Sequence, residues 1–224
     1  MLTVHHLENS RSQRVLWLLE ELEVPYELIR YERDPQTMLA PAALRAIHPL
    51  GKSPVITEDG EALAETGAIV EHLLERHGAG RLAPPAGTPA HRRMRYWLHY
   101  AEGSAMPPLL LKLVFGRLPA GAPALMRPIV NAIAKRAQTG FVDPQLQLHF
   151  DYWEGELEKA EWFAGAEFTA ADIMMSFPAE AAAERGAARV GRPRLSAFLK
   201  RIHQRPAYRR ALERGGPYAY AAAD

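Results

Sequence analysis

Two short segments carry the residue types from which chemistry is built. The first, Leu7-Glu8-Asn9-Ser10-Arg11-Ser12-Gln13-Arg14-Val15, sets hydroxyl, amide and guanidinium side chains where a strand gives way to a helix. That turn suits thiol activation. An ordinary thiol has a pKa of about 8.5, so little of it is nucleophilic thiolate at neutral pH, and one hydroxyl hydrogen bond beside a helix N-terminus shifts the balance. The chain contains no cysteine, so the reacting sulfur would belong to a ligand. Ser10 is one candidate donor. Capping is the plain alternative for a serine before a helix, but Ser12 offers a second cap and leaves Ser10 free to face a ligand. Asn9 is a rival through its amide N–H. Arg11 adds charge, although a solvated arginine is the commoner outcome.

The second segment runs from His48 to Glu71 and builds a small-anion pocket out of backbone. Pro54 lacks an N–H, fits the first residue of a strand, and follows a loop where a cis bond is accommodated. Asp59-Gly60 is a two-residue hairpin signal joining Val55–Thr57 to Ala62–Ala64. Glu65-Thr66-Gly67 then opens an amphipathic helix whose free N–H groups attract a carboxylate. Glu65 suits a protonated amino group, and the Thr66 hydroxyl suits the neighbouring carboxylate. Helix capping accounts for the same pair, and both readings hold together.

Pro-Leu-Gly-Lys-Ser-Pro-Val followed at this spacing by Ala-Glu-Thr-Gly-Ala-Ile resembles the glutathione-binding signature of the cytosolic glutathione S-transferases, and the resemblance extends along the whole chain. It implies that glutathione is the co-substrate. The backbone of Ser53, before the proline Pro54, would pair with the cysteinyl part; Glu65 and Thr66 would hold the γ-glutamyl end; Lys52 and Arg11 would lie near the tripeptide. The Ser10-to-Arg14 spacing is similar to that of the catalytic-serine branches, which favours Ser10 over capping, while other members use an asparagine, as at Asn9. The resemblance further implies a cytoplasmic, two-fold dimeric transferase that conjugates glutathione to small apolar electrophiles in detoxification. Two alternatives accompany it: glutathione-dependent reduction of peroxides or disulfides without a protein cysteine, and non-catalytic binding of glutathione or apolar ligands.

Positioning these segments requires a strand over Leu2–Leu7, a helix over Gln13–Leu22 with Val15, Leu16, Leu18, Leu19 and Leu22 inward, and a strand over Tyr26–Tyr31, which together make a βαβ unit. A helix over Thr37–Ala46, the hairpin and a helix over 65–77 complete the order βαβαββα, the α/β thioredoxin-like topology. Gly78 to Pro89 reads as a linker, dividing a thioredoxin-like domain (1–78) from an all-α helical-bundle domain (90–224). Helices are expected over 90–117, 124–140, 144–163, 170–185 and 192–213, with Pro107-Pro108 kinking or ending the first near Met106. The resemblance places the electrophile site there, with Met106, Leu110 and Phe115 as apolar walls. Phe168-Thr169-Ala-Ala-Asp172-Ile173 is a capping box with an apolar clasp, and its role is structural.

Composition sets the outer bounds. The 224 residues hold 27 Lys plus Arg against 26 Asp plus Glu, so nothing compels a nucleic-acid or anionic-membrane partner. Arginines at 92, 93 and 95, and at 205, 209 and 210, read as solvated helix faces. No apolar run reaches the roughly 20 residues of a membrane span, and the N-terminus lacks the pattern of a secretory signal. The absence of cysteine excludes disulfide scaffolds, thiolate zinc sites and a nucleophilic cysteine. Gly51-Lys52-Ser53 fails as a phosphate loop because Ala46 stands where glycine is needed and Pro54 where a helix should begin. His72 and His77 are five apart, and a zinc helix spaces its ligands by four, so no metal is expected.

Overall fold

The computed structural model describes residues 1–184 and 191–221. Four strands, β1 (Thr3–Leu7), β2 (Glu27–Tyr31), β3 (Val55–Glu58) and β4 (Glu61–Ala64), form one mixed sheet in the order β2-β1-β3-β4. β2 runs parallel to β1, whereas β3 is antiparallel to both β1 and β4. With α1 (Ser12–Leu22), α2 (Ala42–Ile47) and α3 (Thr66–His77), the order is the expected βαβαββα. Val55 pairs with Ala64, so the ladder carries Pro54 and Glu65 to the same end of the hairpin. That register joins the proline loop to the start of α3.

α2 is shorter than the sequence suggested. Asp34 Oδ1 accepts the Gln36 and Thr37 N–H groups at 2.9 and 2.7 Å, holding a turn where the helix was expected. Pro41 occupies the cap position in an extended conformation, and Ala40 ahead of it is disfavoured from the helical region, so the helix begins at Ala42.

The regular structure beyond α3 is mainly helical. α4 (Pro89–Tyr100) passes through a π-helical segment, Ala101–Ala105, into α5 (Met106–Arg117). Pro107 and Pro108 therefore do not end this helix: they lie in the first turn of α5, and the wider π turn before them accommodates their missing N–H groups. A second helical path runs through α6 (Arg127–Ala137), a π segment at Gln138–Val142 and α7 (Asp143–Lys159). α8 (Ala170–Glu184) is followed by α9 (Pro193–Gln204) and α10 (Pro206–Gly215). The stretch expected as one helix over 192–213 is two, because Arg205 precedes Pro206 and is extended. Residue 185, at the end of the expected 170–185 helix, lies outside the described residues.

α1 is the centre of the core. Ser12 through Leu19 are all buried, since the helix is enclosed by the sheet, α3, α8 and α10. An amphipathic reading with one inward face misses this; Gln13, Arg14 and Trp17 are inside as well. α8 is equally enclosed, and its capping box closes through Asp172, whose carboxylate accepts the Thr169 and Phe163 N–H groups, each at 2.9 Å. Burial pushes that carboxyl up to about 7, against the pull of the same donors. Phe168 packs on Trp17 and Trp162 at ring-centroid separations of 5.6 and 5.0 Å.

The arginine clusters are not simply solvated. Arg205 forks onto Glu21 at 2.6 and 2.8 Å with its guanidinium over Phe168, and Arg210 and Arg214 meet Glu20 at 2.9 and 3.0 Å. These contacts fasten α10 to α1. Arg93 likewise reaches Glu156 at 2.9 Å and Arg95 lies 3.8 Å from Glu71, while Arg92 is exposed.

Candidate active site

A cavity of about 520 Å3 opens where the β1–α1 turn, the loop ending at Ser53, α5 and α8 meet. Asn9, Ser10, Arg11, Lys52 and Ser53 line it, together with Met106 and Leu110. Arg11, Arg33, Arg45 and Lys52 supply cationic groups, no acidic side chain among the described residues lines the space, and Leu109, Leu113, Phe177 and Ala181 add apolar surface from α5 and α8. The cavity therefore suits a ligand that carries anionic groups together with an apolar partner.

Ser53 binds the loop to the central strand. Its hydroxyl donates to the His5 carbonyl at 3.2 Å and accepts the Leu7 N–H at 3.3 Å, and the Ser53–Pro54 peptide bond is cis. Ser10 Oγ then donates to Ser53 Oγ at 3.4 Å. Pro54 is buried behind the loop, Lys52 is exposed at its rim.

The division of roles expected of the two serines is only half met: Ser10 both lines the cavity and supplies the local bond at the helix start. Ser12 makes no cap bond; it is fully buried and its hydroxyl meets His6 Nδ1 at 2.8 Å. Ser10 Oγ instead accepts the Ser12 N–H at 3.2 Å, and the two hydroxyl oxygens lie 2.8 Å apart. Burial, helped by the nearby Arg30, pushes the His6 imidazole down to about 4, so the ring is neutral. Ser12 Oγ also donates to the Leu7 carbonyl at 3.4 Å. Ser10 donates its single proton to Ser53 Oγ, and an anion in the cavity would compete for that proton with a charge-assisted bond.

Asn9 sits at φ 48° and its Oδ1 accepts the Ala219 N–H at 2.7 Å. Arg11 is not a solvated arginine: its Nε meets Glu102 at 2.9 Å, and the other Glu102 oxygen holds the buried Arg14, which also donates to the Met174 carbonyl at 2.8 Å. Burial raises the Glu102 carboxyl, but Arg14 and Arg11 outweigh it and hold the group below the usual range. Glu102 belongs to the π segment, where an irregular turn brings it to α1.

The sequence profile of the glutathione S-transferase N-terminal domain matches residues 10–76, and that of the C-terminal domain matches residues 118–206. Glutathione S-transferase 3 of Schizosaccharomyces pombe is 34% identical over 214 residues, covering 96% of this chain and 88% of that protein. The chain belongs to the glutathione S-transferase family. Glutathione S-transferase 1 of Saccharomyces cerevisiae is 32% identical over 223 residues, covering 96% and 95% of the two chains. A glutathione S-transferase structure from Actinobacillus pleuropneumoniae aligns with a TM-score of 0.81 at 32% identity, over 98% of this chain and 94% of that one. A sphingomonad glutathione S-transferase complexed with glutathione aligns at 0.74 and 25% identity, over 96% and 98%.

Not every residue of the transferase expectation reaches the cavity. Phe115 does not line it: it lies five positions beyond Leu110, roughly 140° around the helix, and packs against the core. Glu65 and Thr66 do not line the cavity either. Glu65 takes the cap position of α3 at φ 70° with an exposed carboxylate and no cap bond, and Thr66 is buried in the first turn. Phe177, Tyr220, Glu102 and Arg14 were not anticipated, because each is brought in by packing between distant segments. His72 and His77 both reach one carboxylate, Glu58, at 2.7 and 2.9 Å. Among the described residues no group of three or more His, Asp or Glu side chains is arranged to hold a metal.

Proposed function

We propose that this glutathione S-transferase conjugates the thiolate of glutathione to small, largely apolar electrophiles, with the Asn9–Ser10 turn stabilising the thiolate. The observation that carries the reading is the Ser10–Ser53 contact, which brings the hydroxyl donor to the residue preceding the cis-proline. Lys52, Ser53 and Pro54 form the loop beside the cysteinyl part, and the exposed carboxylate of Glu65 with the N-terminus of α3 receives the γ-glutamyl end. Arg11, fixed by Glu102, adds positive potential. Met106, Leu110 and Phe177 present the electrophile, and Phe115 is left out of that role. Catalysis is thiolate stabilisation plus proximity.

A transferase profile over both halves of the chain and full-length relatives named as transferases support conjugation over the reductive and non-catalytic alternatives. The family resemblance also supports a two-fold homodimer, a cytoplasmic place, a detoxifying role, and a division between residues 1–78 and 90–224. No helix of the described residues is long and apolar enough to cross a membrane. The test is calorimetric titration with reduced glutathione followed by an assay with haloaromatic electrophiles. Binding with turnover supports the reading; absence of binding overturns it.

A further inference from the structure

After α10 the chain turns at Gly216, φ 84°, and residues 216–221 return across the molecule as a strap toward the β1–α1 turn. Three contacts hold it. Tyr218 Oη donates to Glu180 Oε2 at 2.8 Å; Glu180 is 2% exposed and its other oxygen accepts Tyr208 Oη at 2.6 Å and meets His203 Nε2 at 3.0 Å. Tyr220 stacks edge-on against Phe177 at 5.2 Å and lines the cavity. Between them, the Ala219 N–H donates to Asn9 Oδ1 at 2.7 Å.

The last contact decides the orientation of an amide. A backbone N–H can meet only the oxygen of a carboxamide, so the bond fixes which end of Asn9 is which. With Oδ1 held by the strap, Nδ2 and its two protons remain for the cavity that Asn9 lines. A freely rotating amide would present its oxygen lone pairs to a bound thiolate part of the time, and those repel it.

We propose that the 216–221 strap is a positioning element of the transferase: Ala219 locks the Asn9 amide so that Nδ2 is a second donor to the glutathione sulfur beside Ser10, with the buried Glu180–Tyr218 bond holding the strap in register. This rests on the thiolate reading of the Asn9–Ser10 turn. The strap lowers the pKa of bound glutathione through Asn9.

The experiment compares the pH profile of kcat/KM for the full chain, a chain ending at Pro217, Ala219→Pro, which deletes the one N–H concerned, and Asn9→Ala. Ending the chain at Pro217 and Ala219→Pro should each move the acid limb up by about one pH unit, a roughly tenfold loss of thiolate below it, with glutathione affinity nearly unchanged. Combining Asn9→Ala with Ala219→Pro should add nothing further, since both act through one amide. If the chain ending at Pro217 does not fold, Ala219→Pro alone carries the test. An unshifted profile in Ala219→Pro, or additive shifts in the double variant, overturns the inference. Ser10→Ala separates the two levels: if it also leaves the profile unmoved, the thiolate reading fails, whereas a shift in Ser10→Ala alone sinks only the strap.

Discussion

Ser10 Oγ donates to Ser53 Oγ across 3.4 Å, joining the strand-to-helix turn to the cis-proline loop 43 positions away. Both segments also hold β1, so the donor and the loop that receives glutathione are positioned by one strand. Replacing Ser10 with Ala removes the hydroxyl and leaves the anion-binding loop intact. We expect kcat/KM to fall about 10- to 100-fold, the value of one hydrogen bond to a charged group, with glutathione affinity little changed. Steady-state kinetics beside calorimetry checks this, and unaltered turnover would move the role to Asn9.

Glu65 is expected to act on binding. Its carboxylate is exposed, makes no cap bond to α3, and stands at the end of the ladder that carries Pro54. Glu65→Ala should weaken reduced glutathione by about 10- to 100-fold. Thermal stability should hold, because a surface carboxylate without a structural bond contributes within about 0.5 kcal/mol. A stability loss with unchanged affinity would return Glu65 to a purely structural role.

His6 predicts a pH dependence of stability. Its folded pKa of about 4 lies below the ordinary 6.5, because burial and Arg30 disfavour the imidazolium. The unfolded chain therefore takes up the proton first as pH falls. Stability contributed by the neutral ring is complete above 6.5 and is lost as pH drops from 6.5 toward 4, by up to about 3 kcal/mol. Denaturant titrations of the wild type and His6→Asn should diverge above that window and converge below it. Parallel pH profiles would contradict the assignment.

Glu102 holds two arginines, one of them buried. Glu102→Ala would strand Arg14 inside the protein with only the Met174 carbonyl and the face of Phe177 for company. A loss of about 3 kcal/mol is expected on chemical denaturation, with a fall in activity from the released Arg11. Full stability in this variant would show that the ion pair is replaceable by water.

Local rules made much of this legible in the sequence. Asp59-Gly60, the Pro54 strand start and the Thr169–Asp172 box are read from neighbours in the chain, and each stands where those neighbours put it. What escaped is non-local. Arg14 reads as a surface residue until α8 covers α1; Tyr220 and Phe177 meet the turn only through the strap and the packing of α8. The side that Phe115 presents is not legible because apolar composition does not say which side of a helix faces a cavity, and the burial of Ser12 is not legible because its partner, His6, is on another element.

The most direct measurement is an ultraviolet titration of glutathione bound to the protein, following thiolate absorbance against pH for the wild type and Ser10→Ala. An ordinary thiol titrates near 8.5, and the account predicts a bound value at least about one unit lower in the wild type, recovering toward 8.5 in the variant. Bound glutathione that titrates like the free thiol in both proteins would contradict it.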